Sequence, residues 1–164
     1  MRLQTPQLND ATTQAHYRAQ FASHGIDADR LELASGVPHQ ALLANYAAID
    51  IALDPFPYSG GLTTCEALWM GAPVITLAGY TFAGRHSTSH LSNVGLKEFV
   101  TETPEQYVAV ATGLAGDVKR LAEIREGLRH QVASSPLCDV ERYTRDLEAA
   151  YRQMWQRWCQ SSEK

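Results

Sequence analysis

The stretch LDPFPYSGGLTTCEALWMG, residues 53–71, decides how this chain folds. It continues the apolar run Ile49 to Leu53 (IDIAL), which reads as a buried strand ending at Asp54. Pro55, Pro57, Gly60 and Gly61 then make a loop, and a helix runs from about Thr64 to Met70. Strand, glycine-containing loop and helix in that order form the opening half of a βαβ unit.

Working outward, the pattern repeats. Pro73 to Leu77 (PVITL) reads as the next strand, residues 84–94 as a helix, and Leu96 to Thr101 (LKEFVT) as a strand. Upstream, Met1 to Gln4 reads as a strand end and residues 9–24 as a helix, with Gly25 at the position after its cap. Arg30 to Ala34 (RLELA) then gives a strand and Pro38 to Ala47 a helix. Strands alternating with helices predict an α/β fold, a Rossmann-like parallel sheet with flanking helices.

Beyond residue 103 the alternation stops. Thr103-Pro104-Glu105-Gln106 is a capping box with proline in the first turn. Val118, Leu121, Ile124, Leu128 and Val132 mark one face of a second helix. After Ser134-Ser135-Pro136, a last helix carries Tyr143, Leu147, Tyr151, Met154, Trp155 and Trp158. The expected organisation is one domain over 1–164 with a helical part at 103–164. In the Rossmann order 3-2-1-4-5-6 the strand at Met1 to Gln4 counts as the second, so the chain reads as a fragment lacking its central first strand. Such a fragment is expected to self-associate.

The 164 residues carry a net charge of −4, and the 14 lysines and arginines form no run. That argues against nucleic acid or an anionic membrane as partner. No apolar stretch reaches the ~20 residues of a membrane span, and the start lacks the apolar core of a signal peptide. Cys65, Cys138 and Cys159 have neither disulfide nor zinc spacing, so a reducing cytoplasm is the expected location.

The loop admits two readings. Adjacent glycines let backbone approach a ligand, and the N–H groups and dipole of the following helix suit a phosphate outside the carboxyl end of a strand. Equally, Thr63-x-x-Glu66 is a capping box, and Gly60-Gly61 can be a tight turn. The residues alone leave this open, because the loop is neither a Walker A nor a GxGxxG motif.

Three segments add a resemblance. LDPFPYSGGLTTCEALWMGAPVITLAG, SNVGLKEFV and SSPLCDVERYTRDLEAAYRQMWQRW occur in the order and spacing of the O-GlcNAc transferase and Spindly-like glycosyltransferases. The resemblance implies the C-terminal, donor-binding half of a GT-B fold. It also implies an inverting, metal-independent enzyme that moves GlcNAc, or fucose in the Spindly branch, from a nucleotide sugar to protein Ser or Thr. No cofactor is implied; a UDP-sugar is the donor substrate, and the protein acceptor is met by the N-terminal half. A tetratricopeptide (TPR) array upstream is a further family expectation.

Carried over by position, Gly60, Gly61, Leu62 and Thr63 correspond to the loop whose amides hold the diphosphate. Glu66 falls where an acidic residue accepts from the ribose hydroxyls. Tyr58 falls beside the sugar and His39 beside the uracil, although His39 also suits an exposed helix start. Arg85, with His86, borders the donor site and can neutralise phosphate charge, or can be a surface arginine. No catalytic base and no metal site is implied.

There are departures. Gly61 stands where animal members have histidine, Leu62 where they have threonine, and Leu42 where a uracil-stacking histidine is expected. Alternatives are a non-catalytic nucleotide-binding or interaction module, or a fragment of a GT-B sugar-nucleotide epimerase. A hydrolase built on Ser87, Ser89, His86 and His90 is set aside, because no GxSxG elbow or orienting acid is present.

Overall fold

The computed structural model describes residues 1–162 and is α/β throughout, with parallel strands. It divides into two units, Met1–Asn45 and a larger one from Tyr46 onward, each with its own sheet.

In the first unit, β1 (Arg2–Gln4) pairs in parallel with β2 (Glu32–Ala34), with Leu3 opposite Leu33. Between them runs α1 (Ala11–Ser23), preceded by a 3-10 turn at Pro6–Asn9. Asp10 caps α1 by accepting from the Thr13 N–H at 2.6 Å, a bond that holds its carboxyl below the usual carboxylate range. Gly25 takes φ 74°, as expected of the residue after the cap. The buried apolar side chains are Leu8 and Leu31, and α2 (His39–Asn45) closes the unit.

In the larger unit, β3 (Ala52–Leu53), β4 (Val74–Leu77) and β5 (Val100–Thr101) form a parallel sheet in that order. Each strand is shorter than the sequence predicts, β3 and β5 most of all. Residues 97–99 form a 3-10 turn that places Phe99 in the core, so β5 begins only at Val100. Of the predicted run Ile49 to Leu53 only Ala52 and Leu53 are strand, and the run is preceded by a 3-10 turn at Tyr46–Ala48.

Helices α3 (Leu62–Trp69), α4 (His86–Val94), α5 (Pro104–Gly116) and α6 (Val118–Ala133) flank this sheet. Thr103 caps α5 by accepting from the Gln106 N–H, as its capping box requires. Leu68, Ile75, Leu91, Phe99 and Leu128 pack as one core, each 0–2% exposed. Burying a side chain of this size stabilises by roughly 1.5–3 kcal/mol. On α6 the predicted face holds for Leu121, Leu128 and Val132, while Val118 at the helix start is exposed. In the final helix, α7 (Val140–Ser162), none of the side chains whose burial is described is buried. Among the described residues no helix is long and apolar enough to cross a membrane.

Candidate functional site

The loop from Asp54 to Gly61 is built around one buried carboxylate. Asp54, at the end of β3, is 5% exposed and accepts from the Gly60 N–H at 2.7 Å and the Thr76 hydroxyl at 2.6 Å. Its own carbonyl accepts from the Tyr107 hydroxyl at 3.0 Å. Burial first, and the Asp54 charge second, push the Tyr107 phenol up to about 12. A carboxylate that accepts two short hydrogen bonds fixes both the end of its strand and the turn that follows.

A second layer is made of hydroxyls. Ser59, 2% exposed, donates to the Ala83 carbonyl and accepts from the N–H of His86 at 3.0 Å and of Ser87 at 3.4 Å. Ser87 donates to the Gly60 carbonyl at 3.0 Å and shares a 2.8 Å hydrogen bond with Thr64. Gly60 is obligatory at this crossing. A Cβ there would lie 2.5 Å from Thr64 Oγ1, 3.0 Å from Thr63 Oγ1 and 3.1 Å from Asp54 Oδ1. The adjoining turn is equally close, since a Cβ on Gly84 would meet the Pro57 carbonyl at 2.9 Å.

These bonds give two neighbouring helix starts different fates. The first amides of α4 are taken by Ser59. At α3 the cap residue is Gly61, which brings no side-chain oxygen. Among the described residues nothing accepts from the N–H groups of Gly61, Leu62 and Thr63. An open helix start carries partial positive charge and suits an anion. Beside it a cleft of about 130 Å³ is lined by Tyr46, Leu53, Asp54, Thr63 and Thr64.

The structure sorts the predicted residues. Gly61, Leu62 and Thr63 form the open start of α3, with Leu62 and Thr63 exposed. Gly60 lies beneath it with its N–H committed to Asp54, so its role in the loop is steric. The capping-box alternative does not form, because Thr63 is the second residue of α3 and not its cap. Glu66 is half-buried one turn further along, near Tyr46. Tyr46 donates to the Thr63 carbonyl at 3.2 Å, and its phenol is raised by burial first and by the Glu66 charge second.

Tyr58 is exposed, with its ring edge-on to that of His86 at 6.5 Å. Arg85 turns its guanidinium to the Gly79 carbonyl at 3.2 Å. His39 opens α2 in the first unit. Sequence reasoning gave no role to Asp54, Ser59, Thr64 or Ser87. A signal was available in an aspartate ending a strand and a serine directly before Gly60-Gly61. The partner serine lies 28 residues from Ser59, where no local pattern joins them. Among the described residues no cluster of His, Cys, Asp or Glu is placed to hold a metal ion.

Comparison with known proteins places this geometry. The profile of glycosyl transferase family 41 matches residues 7–147, and the chain belongs to that family. It is 49% identical over 114 residues to the barley (Hordeum vulgare) protein named "Probable UDP-N-acetylglucosamine--peptide N-acetylglucosaminyltransferase SPINDLY", covering 70% of this chain and 12% of that one. It is 31% identical over 143 residues to the UDP-N-acetylglucosamine–peptide N-acetylglucosaminyltransferase of Caenorhabditis elegans, covering 87% of this chain and 12% of the relative. A solved structure of a mutant O-GlcNAc transferase from Thermobaculum terrenum superposes with a TM-score of 0.91 at 44% identity. That match covers 98% of this chain and 31% of the other. The chain therefore spans about one-eighth of the length of these two curated relatives.

Proposed function

We propose that this chain is the donor-binding portion of an inverting, metal-independent glycosyltransferase. The enzyme moves a sugar, GlcNAc in the first instance, from a UDP-sugar to Ser or Thr of a protein. One observation carries the reading: in a member of glycosyl transferase family 41, α3 follows the loop at the end of a parallel strand and opens with three amides that lack an acceptor among the described residues. Those amides hold the donor diphosphate and stabilise the negative charge that grows on it as the glycosidic bond breaks. Glu66 accepts from the ribose hydroxyls, Tyr58 lies beside the sugar, and His39 beside the base.

No described residue is assigned to deprotonate an acceptor, and that task falls in this reading to the N-terminal part of the full-length enzyme. Alone, the chain binds donor and transfers nothing. It also self-associates, through the apolar residues exposed along α7.

Calorimetry with UDP on the full-length protein tests the reading, with Glu66→Gln as the informative variant. The change keeps size and removes charge, so UDP affinity should fall by ~1–3 kcal/mol, the loss for a charged hydrogen bond. Thermal stability should stay as in the unsubstituted protein. Unaltered UDP binding together with a lowered Tm would make Glu66 a structural residue and remove it from the site.

A further inference from the structure

We propose that His86 is a further donor-binding residue, whose imidazole contacts the diphosphate of the nucleotide sugar at the open start of α3. The proposal rests on the donor reading above and adds to it a residue from a different helix.

Backbone placement comes first. The His86 N–H is held by Ser59 Oγ, so the beginning of α4 is clamped to the residue directly before Gly60. The side chain follows from that anchor. A Cβ built on Gly61 would lie 3.7 Å from His86 Nδ1, an ordinary van der Waals contact. The imidazole therefore stands over Gly61 on the side where this glycine has no side chain. Gly61 is also the first of the three amides without an acceptor.

The ring is held rather than loose. Phe82 meets it edge-on at 4.6 Å with an interplanar angle of 82°, and Tyr58 meets it at 6.5 Å and 85°. Such edge-to-face contacts fix a ring's orientation while leaving its in-plane nitrogens available. Neither His86 nitrogen has a hydrogen-bond partner among the described residues, although the side chain is half-buried. The ring nitrogens are not among the buried side-chain atoms that lack a partner, so they stay open to solvent and to a ligand that reaches the loop. An anion on the Gly61, Leu62 and Thr63 amides would accept the imidazole N–H.

The neighbouring arginine, by contrast, is already committed to the Gly79 carbonyl. Of the two basic residues at the start of α4, His86 is the one whose ring lies over the loop.

The test compares UDP with uridine, which shares base and ribose but has no phosphate, on the full-length protein by calorimetry. His86→Phe keeps an aromatic ring against Phe82 and Tyr58 but has no N–H. It should lose about 10-fold in UDP affinity and nothing in uridine affinity, as for one hydrogen bond to a charged group. His86→Gln, which restores an N–H donor, should recover part of the loss. A merely structural histidine would move both ligands together. A UDP-to-uridine ratio in a folded His86→Phe protein equal to that of the unsubstituted enzyme overturns the proposal. Should the Phe variant fail to fold, His86→Ala decides by the same ratio. If the unsubstituted enzyme binds UDP no better than uridine, the diphosphate reading of the loop falls and takes this proposal with it. If it discriminates and the variants do so equally, only His86 is removed.

Discussion

Residues 54–64 and helix α7 belong to the same unit and treat their side chains in opposite ways. In residues 54–64 polar groups are buried and paired within the fold: Asp54, Ser59 and Thr64 are each at most 5% exposed and hydrogen-bonded, Thr64 to the buried Ser87 of α4. In α7 the apolar groups are outside, with Tyr143, Met154, Trp155 and Trp158 all more than half exposed. The helix is supported by its own surface pairs, Glu141–Arg145, Arg142–Asp146 and Glu148–Arg152, each one turn apart. Such pairs contribute only ~0.2–0.5 kcal/mol apiece. The loop's geometry is therefore a property of the unit itself, whereas the apolar stripe of α7 gains nothing from the fold around it. Substitutions in the two regions should accordingly separate stability from association.

The largest effect is expected at Asp54. Asp54→Ala leaves the Gly60 N–H and the Thr76 hydroxyl without their acceptor in a buried place. It should cost ~2–4 kcal/mol in urea unfolding, with Asp54→Asn costing less because it keeps one carbonyl acceptor. An Ala variant as stable as the unsubstituted chain would show that the carboxylate does not organise the loop.

Tyr107→Phe is a milder probe of the same layer, expected to cost ~0.5–1.5 kcal/mol near neutral pH through the lost bond to the Asp54 carbonyl. The phenol in the fold titrates near 12, above its ordinary 10.0, so the native state holds this proton more tightly than the unfolded one. Stabilisation from that difference is complete below pH 10 and lost as pH rises towards 12. The Phe variant lacks this loss, so its deficit against the unsubstituted chain should shrink between those values. Urea unfolding at pH 9 and pH 11 measures it; a constant deficit would refute the assignment.

On α7 the stability effect should be smallest. Trp155→Glu loses only a stacked contact with Trp158, 5.1 Å between rings at an exposed site, worth under ~1 kcal/mol. Association should respond instead, with light scattering showing smaller species for the variant of the isolated chain. A monodisperse monomer before substitution would end the self-association reading.

The order of elements was legible in the sequence, because period-2 and period-3.6 apolar patterns and proline-glycine punctuation are local signals. Strand lengths were not. In Leu96 to Thr101 a 3-10 turn takes residues 97–99 and puts Phe99 in the core, and in Ile49 to Leu53 only Ala52 and Leu53 pair with β4; both outcomes depend on packing rather than on the local pattern. In the loop, the glycine pair and the helix start were visible. The choice between cap and open start was not, since it depends on whether α3 begins at Leu62 or two residues later.

By itself, then, the sequence determined the α/β class, the parallel strands and the loop between Asp54 and Thr64, all of them consequences of near-neighbour chemistry. The tertiary structure alone decided which amides are taken and which stay open. Ser59 closes the start of α4, Asp54 takes the Gly60 N–H, and among the described residues the first amides of α3 stay open. The paired groups lie from 6 to 28 residues apart in the chain, and such pairings exist only once β3, α3 and α4 have packed.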